Sequence, residues 1–378
     1  MTSQLPNVLQ AILGGISLTL SAHGESANSI FGSLRENRLS WVSSAPLPFP
    51  ELVEPGVRHI AYKDPSVVRA KDAWHVYASK VRHLSNGDTR YSLAYLGFPD
   101  WDSAGNARVV PLLADENLAC APQVFFFTPK KQWYVIYVWN DARTGYNGPA
   151  FSTLADVDRP ETISPPQPCF PKIPDSLPGK KRWLDFTVIA DSGKAYLFFT
   201  NDEGDFLRCH TALDAFPTGW SDPVVALSAP ISVIFEGSQT YKIKDRSEYV
   251  TIVEGIGPEG CRYYNSYLAD RLDGEWRSTG STFEHPFAGC KNVTYPAGSE
   301  PWSVNISHGE LIRASNDETM LLDLSRLEFL YQGWDRKTRI PGVLPGRFNG
   351  YHETPWKLGL LRVAGSTLVT PPNTQSGI

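Results

Sequence analysis

The sequence predicts an all-β fold, a five-bladed β-propeller with a central channel and a funnel-shaped active site at its mouth, and three observations carry that prediction. Beyond Leu34 the chain reads as short strands and turns, with almost no sustained helical periodicity. One phrase recurs five times: a β-type segment reaches a polar turn, and an aromatic or apolar strand returns from it. The residues opening these phrases, Asp64, Pro122, Asp185, Glu236 and His308, are 58, 63, 51 and 72 positions apart. Repeats of that length, with several strands and no helices per unit, belong to propeller blades, each a four-stranded sheet around the channel. A two-sheet sandwich is the competing architecture, and it would not ask for a polar residue at a fixed point of each unit.

Taken in order, the phrases run from Val67 to Ala78, Gln123 to Tyr137, Phe186 to Phe199, Ser238 to Val253 and Ser307 to Leu322. Their turns are Ala70-Lys71-Asp72, Pro129-Lys130-Lys131, Asp191-Ser192-Gly193-Lys194, Lys244-Asp245-Arg246 and Ser315-Asn316-Asp317. The strands expected to return from them are Trp74–Tyr77, Trp133–Tyr137, Ala195–Phe199, Tyr249–Val253 and Thr319–Leu322. The propeller is placed over residues 34–365, between a leader at 1–33 and a tail at 366–378.

With 378 residues, 42% of them hydrophobic, and 11 Trp, 16 Tyr and 18 Phe, the chain can bury a large core. A net charge of −5 without a basic block argues against nucleic acid or an anionic membrane as partner, and a monomer is expected. No stretch approaches the ~20 apolar residues of a membrane span. In the leader, Val8–Leu20 is moderately apolar and Ala22-His23-Gly24 follows as a candidate cleavage site, but residues 1–24 hold no Lys or Arg for a signal n-region. Secretion is expected. Five cysteines (Cys120, Cys169, Cys209, Cys261 and Cys290) lack zinc spacing, and an odd number leaves at least one thiol in a monomer.

In a propeller the first strand of each blade lines the channel, so the opening residues converge on one mouth. Three of them are carboxylates. Asp64 stands in Tyr62-Lys63-Asp64-Pro65, Asp185 in Trp183-Leu184-Asp185-Phe186 and Glu236 in Ile234-Phe235-Glu236-Gly237. A charge within an apolar run needs either a basic partner or a use. Three in register suit glycosidic cleavage: a protonated acid serves the leaving oxygen, an ionised carboxylate activates water or attacks the sugar, and a third raises the acid's pKa by repulsion. No G-x-S-x-G elbow and no G-x-x-x-x-G-K-[ST] phosphate loop competes.

The segments Tyr62-Lys63-Asp64, Leu184–Ile189, Phe235-Glu236-Gly237 through Tyr241-Lys242, Pro286–Gly289, Ile306–Arg313, Leu330–Gly333 and Leu358–Leu361 resemble glycoside hydrolase family 62, in the family's order from about Leu34 to Arg362. The resemblance implies a five-bladed propeller and an inverting, exo-acting α-L-arabinofuranosidase that removes side chains from arabinoxylan or arabinan. It implies Asp64 as general base, Glu236 as general acid, Asp185 as the residue that tunes the acid and positions the sugar, and Lys63 as an arabinose contact. Gln239 and His308 match positions that hold a channel calcium ion largely through waters. From its residues alone, His308 beside Gly309 reads as a hydrogen-bonded channel histidine, and calcium prefers oxygen ligands.

The chain departs from the family's pattern in four places. Pro65 replaces the usual Phe after the base, fixing φ and removing a donor. Tyr351-His352 stands where a Tyr-Asn pair shapes the xylan-facing rim, after the insert Arg347-Phe348-Asn349-Gly350. Leu324-Ser325-Arg326 occupies the place of a ring-closing Cys, and no Cys precedes Cys120, so either terminal strand pairing suffices to close the ring or the protein lives where bridges would not form. Strict strand alternation puts Glu236 and Gln239 on opposite faces unless Gly237 marks a bulge that resets the parity. Asn292-Val293-Thr294 and Asn305-Ile306-Ser307 are glycosylation sequons, the second expected to stay unmodified beside the channel. A propeller furanosidase for another furanoside or polymer, and a sugar-binding propeller without turnover, are the alternatives.

Overall fold

A computed structural model describes residues 26–50, 52–113, 118–180, 182–334 and 354–365. The described chain is almost all β, and its sheets follow one another as five blades. Blade one is Val57–Ala70, Ala73–Leu84, Thr89–Phe98 and Arg108–Leu112; blade two is Leu118–Phe127, Gln132–Asp141, Tyr146–Leu154 and Gln167–Pro168. Blade three is Leu184–Ala190, Lys194–Thr200, Asp205–Ala212 and Val224–Ser228. Blade four holds Gln239–Ile243, Tyr249–Ile256, Arg262–Ala269 and Arg277–Ser278, and blade five Ser307–Leu311, Glu328–Gly333 and Lys357–Val363.

Period-two alternation explains why the returning strands are aromatic on both faces. In Trp74–Tyr77, Val76 faces the core between blades one and five, while Tyr77 faces the core between blades one and two. Likewise Val135 looks into the core shared with blade one, and Tyr134 and Ile136 into the core shared with blade three. Every blade is thus a filling between two neighbours, and its strands are buried on both sides.

The fifth phrase corrects the sequence reading. Ser307–Leu311 pairs with Glu328–Gly333, whereas Leu321–Leu322 leaves the blade and pairs in parallel with Lys242 and Ile243 of blade four. The strand expected to return within blade five therefore joins its neighbour. Trp41–Ser43 closes the ring instead: it runs antiparallel to Leu361–Val363, with Val293–Thr294 on its other side.

Part of the segment assigned to the leader is folded. Ala27–Arg35 is an α-helix whose N-cap Ser26 accepts a hydrogen bond from the Ser29 N–H at 3.2 Å. Its buried face, Ile30, Phe31 and Leu34, joins the core containing Leu324 and Leu327, and the helix packs against the Leu324–Arg326 turn. Apolar packing thus occupies the place where the resemblance implies a disulfide. Both sequons are committed to structure: Asn305 is 2% exposed, and Asn292 Nδ2 donates to the carbonyls of Leu39, Pro286 and Phe287 at 2.8–3.0 Å.

Inner strands have edges that face the channel, and side chains satisfy them. Gln123 bonds both backbone groups of Val188, at 2.9 Å from its Nε2 and 2.6 Å to its Oε1, lacing blade two to blade three. Ser66 Oγ accepts from the Val124 N–H at 3.0 Å, lacing one to two. Arg313 Nη2 donates to the carbonyls of Val67 and Val124 at 2.9 and 2.8 Å, while its side chain also pairs with Glu310.

Trp41 has no exposed surface, stacks edge-on against Phe287 at 5.5 Å, and donates its indole N–H to the Phe287 carbonyl at 2.7 Å. Trp41→Ala is expected to cost about 3–5 kcal/mol in urea denaturation. A loss below about 1 kcal/mol would show that ring closure does not depend on this strand.

Candidate active site

Four inner-strand positions share one backbone conformation. Asp64, Ala121, Asp185 and Gly237 have φ of 50°, 52°, 57° and 62°. At the first three the ladder register shifts, between Lys63 and Ser66, Cys120 and Gln123, and Leu184 and Thr187. Each is a bulge that turns a side chain or a backbone N–H out of the sheet at the channel mouth. In blade four the regular strand begins only at Gln239, so Glu236 precedes it, and the left-handed Gly237 removes the parity conflict. A Cβ at Gly237 would also stand 2.9 Å from the Tyr264 hydroxyl, which leaves only glycine there.

The bulge at Asp64 explains how Pro65 is tolerated. Neither residue has a ladder partner, and the Asp64 N–H goes to Gln332 Oε1 at 2.7 Å, so the missing proline donor breaks nothing. The Asp64 carboxylate is 2% exposed. Its Oδ2 accepts the Ser79 hydroxyl at 2.6 Å, while Lys63 Nζ and His308 Nδ1 approach Oδ1 at 3.3 and 3.4 Å. Asp185 approaches the same imidazole nitrogen, its Oδ2 3.5 Å from His308 Nδ1 and 2.8 Å from the Gly237 N–H it accepts. Burial, then the Asp64 charge, push the Asp185 carboxyl up to about 7, against the pull of that N–H.

Glu236 is buried, and burial raises its pKa; Arg262 opposes the rise and Asp185 adds to it. Arg262 Nη1 lies 3.2 Å from Glu236 Oε1 and 2.8 Å from Glu254 Oε1, and its guanidinium stacks on Phe235 at 4.5 Å. Glu254 has no exposed surface and is pushed up to about 7 by burial against Arg262, yet it accepts from Ser307 Oγ and from the His308 N–H at 2.8 Å. Lys63 Nζ sits 5.9 Å from the ring centres of both Tyr91 and Trp356, a cationic and aromatic wall beside Asp64.

Of the residues singled out in the sequence, Asp64, Asp185, His308 and Lys63 thus meet directly, and Glu236 joins them through Gly237. Gln239 is buried, and among the described residues its Oε1 has no hydrogen-bond partner. Tyr351 and His352 lie outside the described residues. Sequence reasoning missed Glu254, Arg262, Ser79, Gln332, Tyr91 and Trp356. Glu254 stood in Ile252-Val253-Glu254-Gly255, the same signal of a charge in an apolar run that marked Glu236.

A buried carboxyl whose proton is favoured, in one cluster with a second carboxyl that accepts a serine hydroxyl and has a lysine beside it, has the groups for protonating a leaving oxygen and activating a nucleophile. At the mouth of a five-bladed propeller, such a cluster marks a glycoside hydrolase. The chain belongs to glycosyl hydrolase family 62, whose sequence profile matches residues 40–362. It is 35% identical over 329 residues to α-L-arabinofuranosidase C of Cellvibrio japonicus, a match covering 86% of this chain and 47% of that protein, so the chain spans about half the length of this relative. The catalytic domain of a Coprinopsis cinerea family 62 α-L-arabinofuranosidase superposes with a TM-score of 0.76 at 33% identity, covering 88% of this chain and 99% of that one. A family 62 hydrolase solved in complex with xylotriose gives 0.74 at 34%, covering 85% and 96%.

Asp185 has a folded-state pKa above its ordinary 3.8, so the native state holds a proton that the unfolded chain releases first. Its contribution is intact below about pH 4 and is lost as pH rises toward about 7. Asp185→Asn is therefore expected to match the wild type in urea denaturation at pH 4 and to exceed it by up to about 4 kcal/mol at pH 8. Equal stability of the two proteins at both pH values would contradict the burial argument.

Proposed function

We propose that the chain is an inverting, exo-acting α-L-arabinofuranosidase that releases arabinofuranosyl side chains from arabinoxylan. The observation that carries the reading is the opposed environment of two buried carboxyls: Asp64 receives the Ser79 hydroxyl and Lys63, and Glu236 has its proton favoured by burial. Membership of family 62 and the xylotriose bound by one solved relative support the substrate class.

In this reading Glu236 gives its proton to the leaving xylosyl oxygen. Asp64 takes a proton from a water that attacks the anomeric carbon from the opposite face, a geometry that requires about 6.5–9.5 Å between the two carboxyls. The Asp185 carboxyl, largely protonated below about pH 7, can donate a hydrogen bond to a sugar hydroxyl, and His308 holds it beside Asp64. Lys63, with Tyr91 and Trp356 around its ammonium, binds the furanose. Both roles place the sugar ring between the acid and the base.

The proposed calcium ion is structural. Among the described residues no group of three or more His, Cys, Asp and Glu side chains could hold a metal. The buried Gln239 Oε1, unpartnered among the described residues, is the oxygen donor that fits a hard cation. Gln239 Oε1 and His308 would hold the ion, which would stiffen the channel.

Glu236→Gln and Asp64→Asn are each expected to lower kcat on arabinoxylan by about 10²–10⁴-fold, with a smaller loss for Glu236→Gln on 4-nitrophenyl arabinofuranoside, whose leaving group needs little protonation. Proton NMR of the wild-type reaction is expected to show β-arabinose first; an initial α-anomer would overturn inversion. Dialysis against EDTA is expected to lower the thermal midpoint in scanning calorimetry, and added calcium to restore it. A midpoint indifferent to both removes the ion from the reading.

A further inference from the structure

Behind the reacting carboxylates, buried polar groups join Asp64 to Glu236 without a gap. The Asp64 N–H donates to Gln332 Oε1 at 2.7 Å, and Gln332 Nε2 donates to Ser307 Oγ at 3.0 Å. Ser307 Oγ donates to Glu254, its two oxygens lying 3.0 and 3.1 Å away. Arg262 Nη1 then donates to Glu254 at 2.8 Å and to Glu236 at 3.2 Å. Gln332, Ser307 and Glu254 have no exposed surface.

The Gln332 link has one direction. Gln332 must turn its oxygen to the Asp64 N–H and its nitrogen to Ser307, so its amide cannot flip without losing both bonds. Ser307 Oγ, receiving the Gln332 amide, sits within hydrogen-bond distance of both Glu254 oxygens. The row crosses three blades: Asp64 belongs to blade one, Gln332 and Ser307 to blade five, where they are ladder partners, and Glu254 and Arg262 to blade four. Blades one and four are separate sheets, so no ladder sets the distance from Asp64 to Glu236.

We propose that Gln332, Ser307 and Glu254 are positioning residues, a strut that fixes the separation of Asp64 and Glu236 and with it the space for the attacking water. The inference rests on the base and acid roles proposed above. An inverting pair needs about 6.5–9.5 Å between its carboxyls. Misplacement of a reacting group by about 1 Å costs on the order of 10² in rate. A row of saturated hydrogen bonds holds such a distance more tightly than packing of two blade edges alone.

The test is a kinetic cycle on the full chain with 4-nitrophenyl arabinofuranoside, whose turnover stays measurable in weak variants. Gln332→Met removes both amide bonds at similar volume and is expected to lower kcat about 10–100-fold, with KM within about twofold. Ser307→Ala is expected to move kcat the same way by less. In an Asp64→Asn background, Gln332→Met is expected to cost less than about twofold, because its effect passes through Asp64. Equal costs in both backgrounds, or a rise in KM with kcat intact, would overturn the strut and leave the base assigned. Full activity of Asp64→Asn alone would instead overturn the base assignment. If Gln332→Met does not fold, Ser307→Ala carried through the same cycle decides in the same way.

Discussion

The site depends on a backbone conformation that L-residues avoid. Left-handed φ costs a residue with a Cβ roughly 1–2 kcal/mol, and the chain accepts it at Asp64, Ala121 and Asp185 and reserves glycine for Gly237. An inner strand in regular pleat would point alternate side chains into the two neighbouring cores, where a carboxylate has no partner. The left-handed residue breaks that alternation once in each of blades one to four, at the mouth of the channel. It also frees N–H groups for other work: that of Gly237 reaches Asp185, that of Asp64 reaches Gln332, and that of Ala121 reaches Ser79 at 2.8 Å. Ser79 in turn spends its proton on Asp64, so the bulges of blades one and two are coupled through a single hydroxyl.

Once gathered, the charges cannot all be satisfied. Asp64, Asp185, Glu236 and Glu254 are four buried carboxyls served by Lys63 and Arg262, with His308 between two of them. In a low dielectric the surplus is relieved by protons, which is why burial lifts Asp185, Glu236 and Glu254. Among the described residues the carboxyls at the site outnumber its cations, and the proton each raised carboxyl keeps follows from that imbalance.

Much of this was legible in the sequence. The five phrases fixed blade count because buried, two-faced strands must be aromatic or β-branched, and the register of Asp64, Asp185 and Glu236 was visible because acids stand out in such runs. Two things were hidden for physical reasons. The partner of Leu321–Leu322 is a strand nearly eighty positions upstream, and local pattern says nothing about which sheet edge a short strand will find. The helix at Ala27–Arg35 was hidden because nine residues of modest amphipathicity give little signal, and its stability comes from packing Ile30, Phe31 and Leu34 against the Leu324 turn. Glu254 was legible by the rule that found Glu236. It does not open a phrase, although the chemistry needs no carboxyl to stand at a strand start.

Further along the same inner strands, the channel solves the same problem in the opposite way. Glu310 and Arg313, both buried, pair with each other; Arg313 also takes the carbonyls of Val67 and Val124, and Glu310 receives the Val67 N–H at 3.3 Å. One anion meets one cation, and the remaining donors and acceptors are spent on the edges of blades one and two. That arrangement laces blades together and has no reason to bind a ligand. A few residues earlier, the strands hold more acids than bases, and side chains such as Lys63 and Asp185 remain able to exchange a protein contact for a sugar hydroxyl. The division between a structural and a reactive half of one channel is thus set by whether charges are matched, and the bulges mark the boundary.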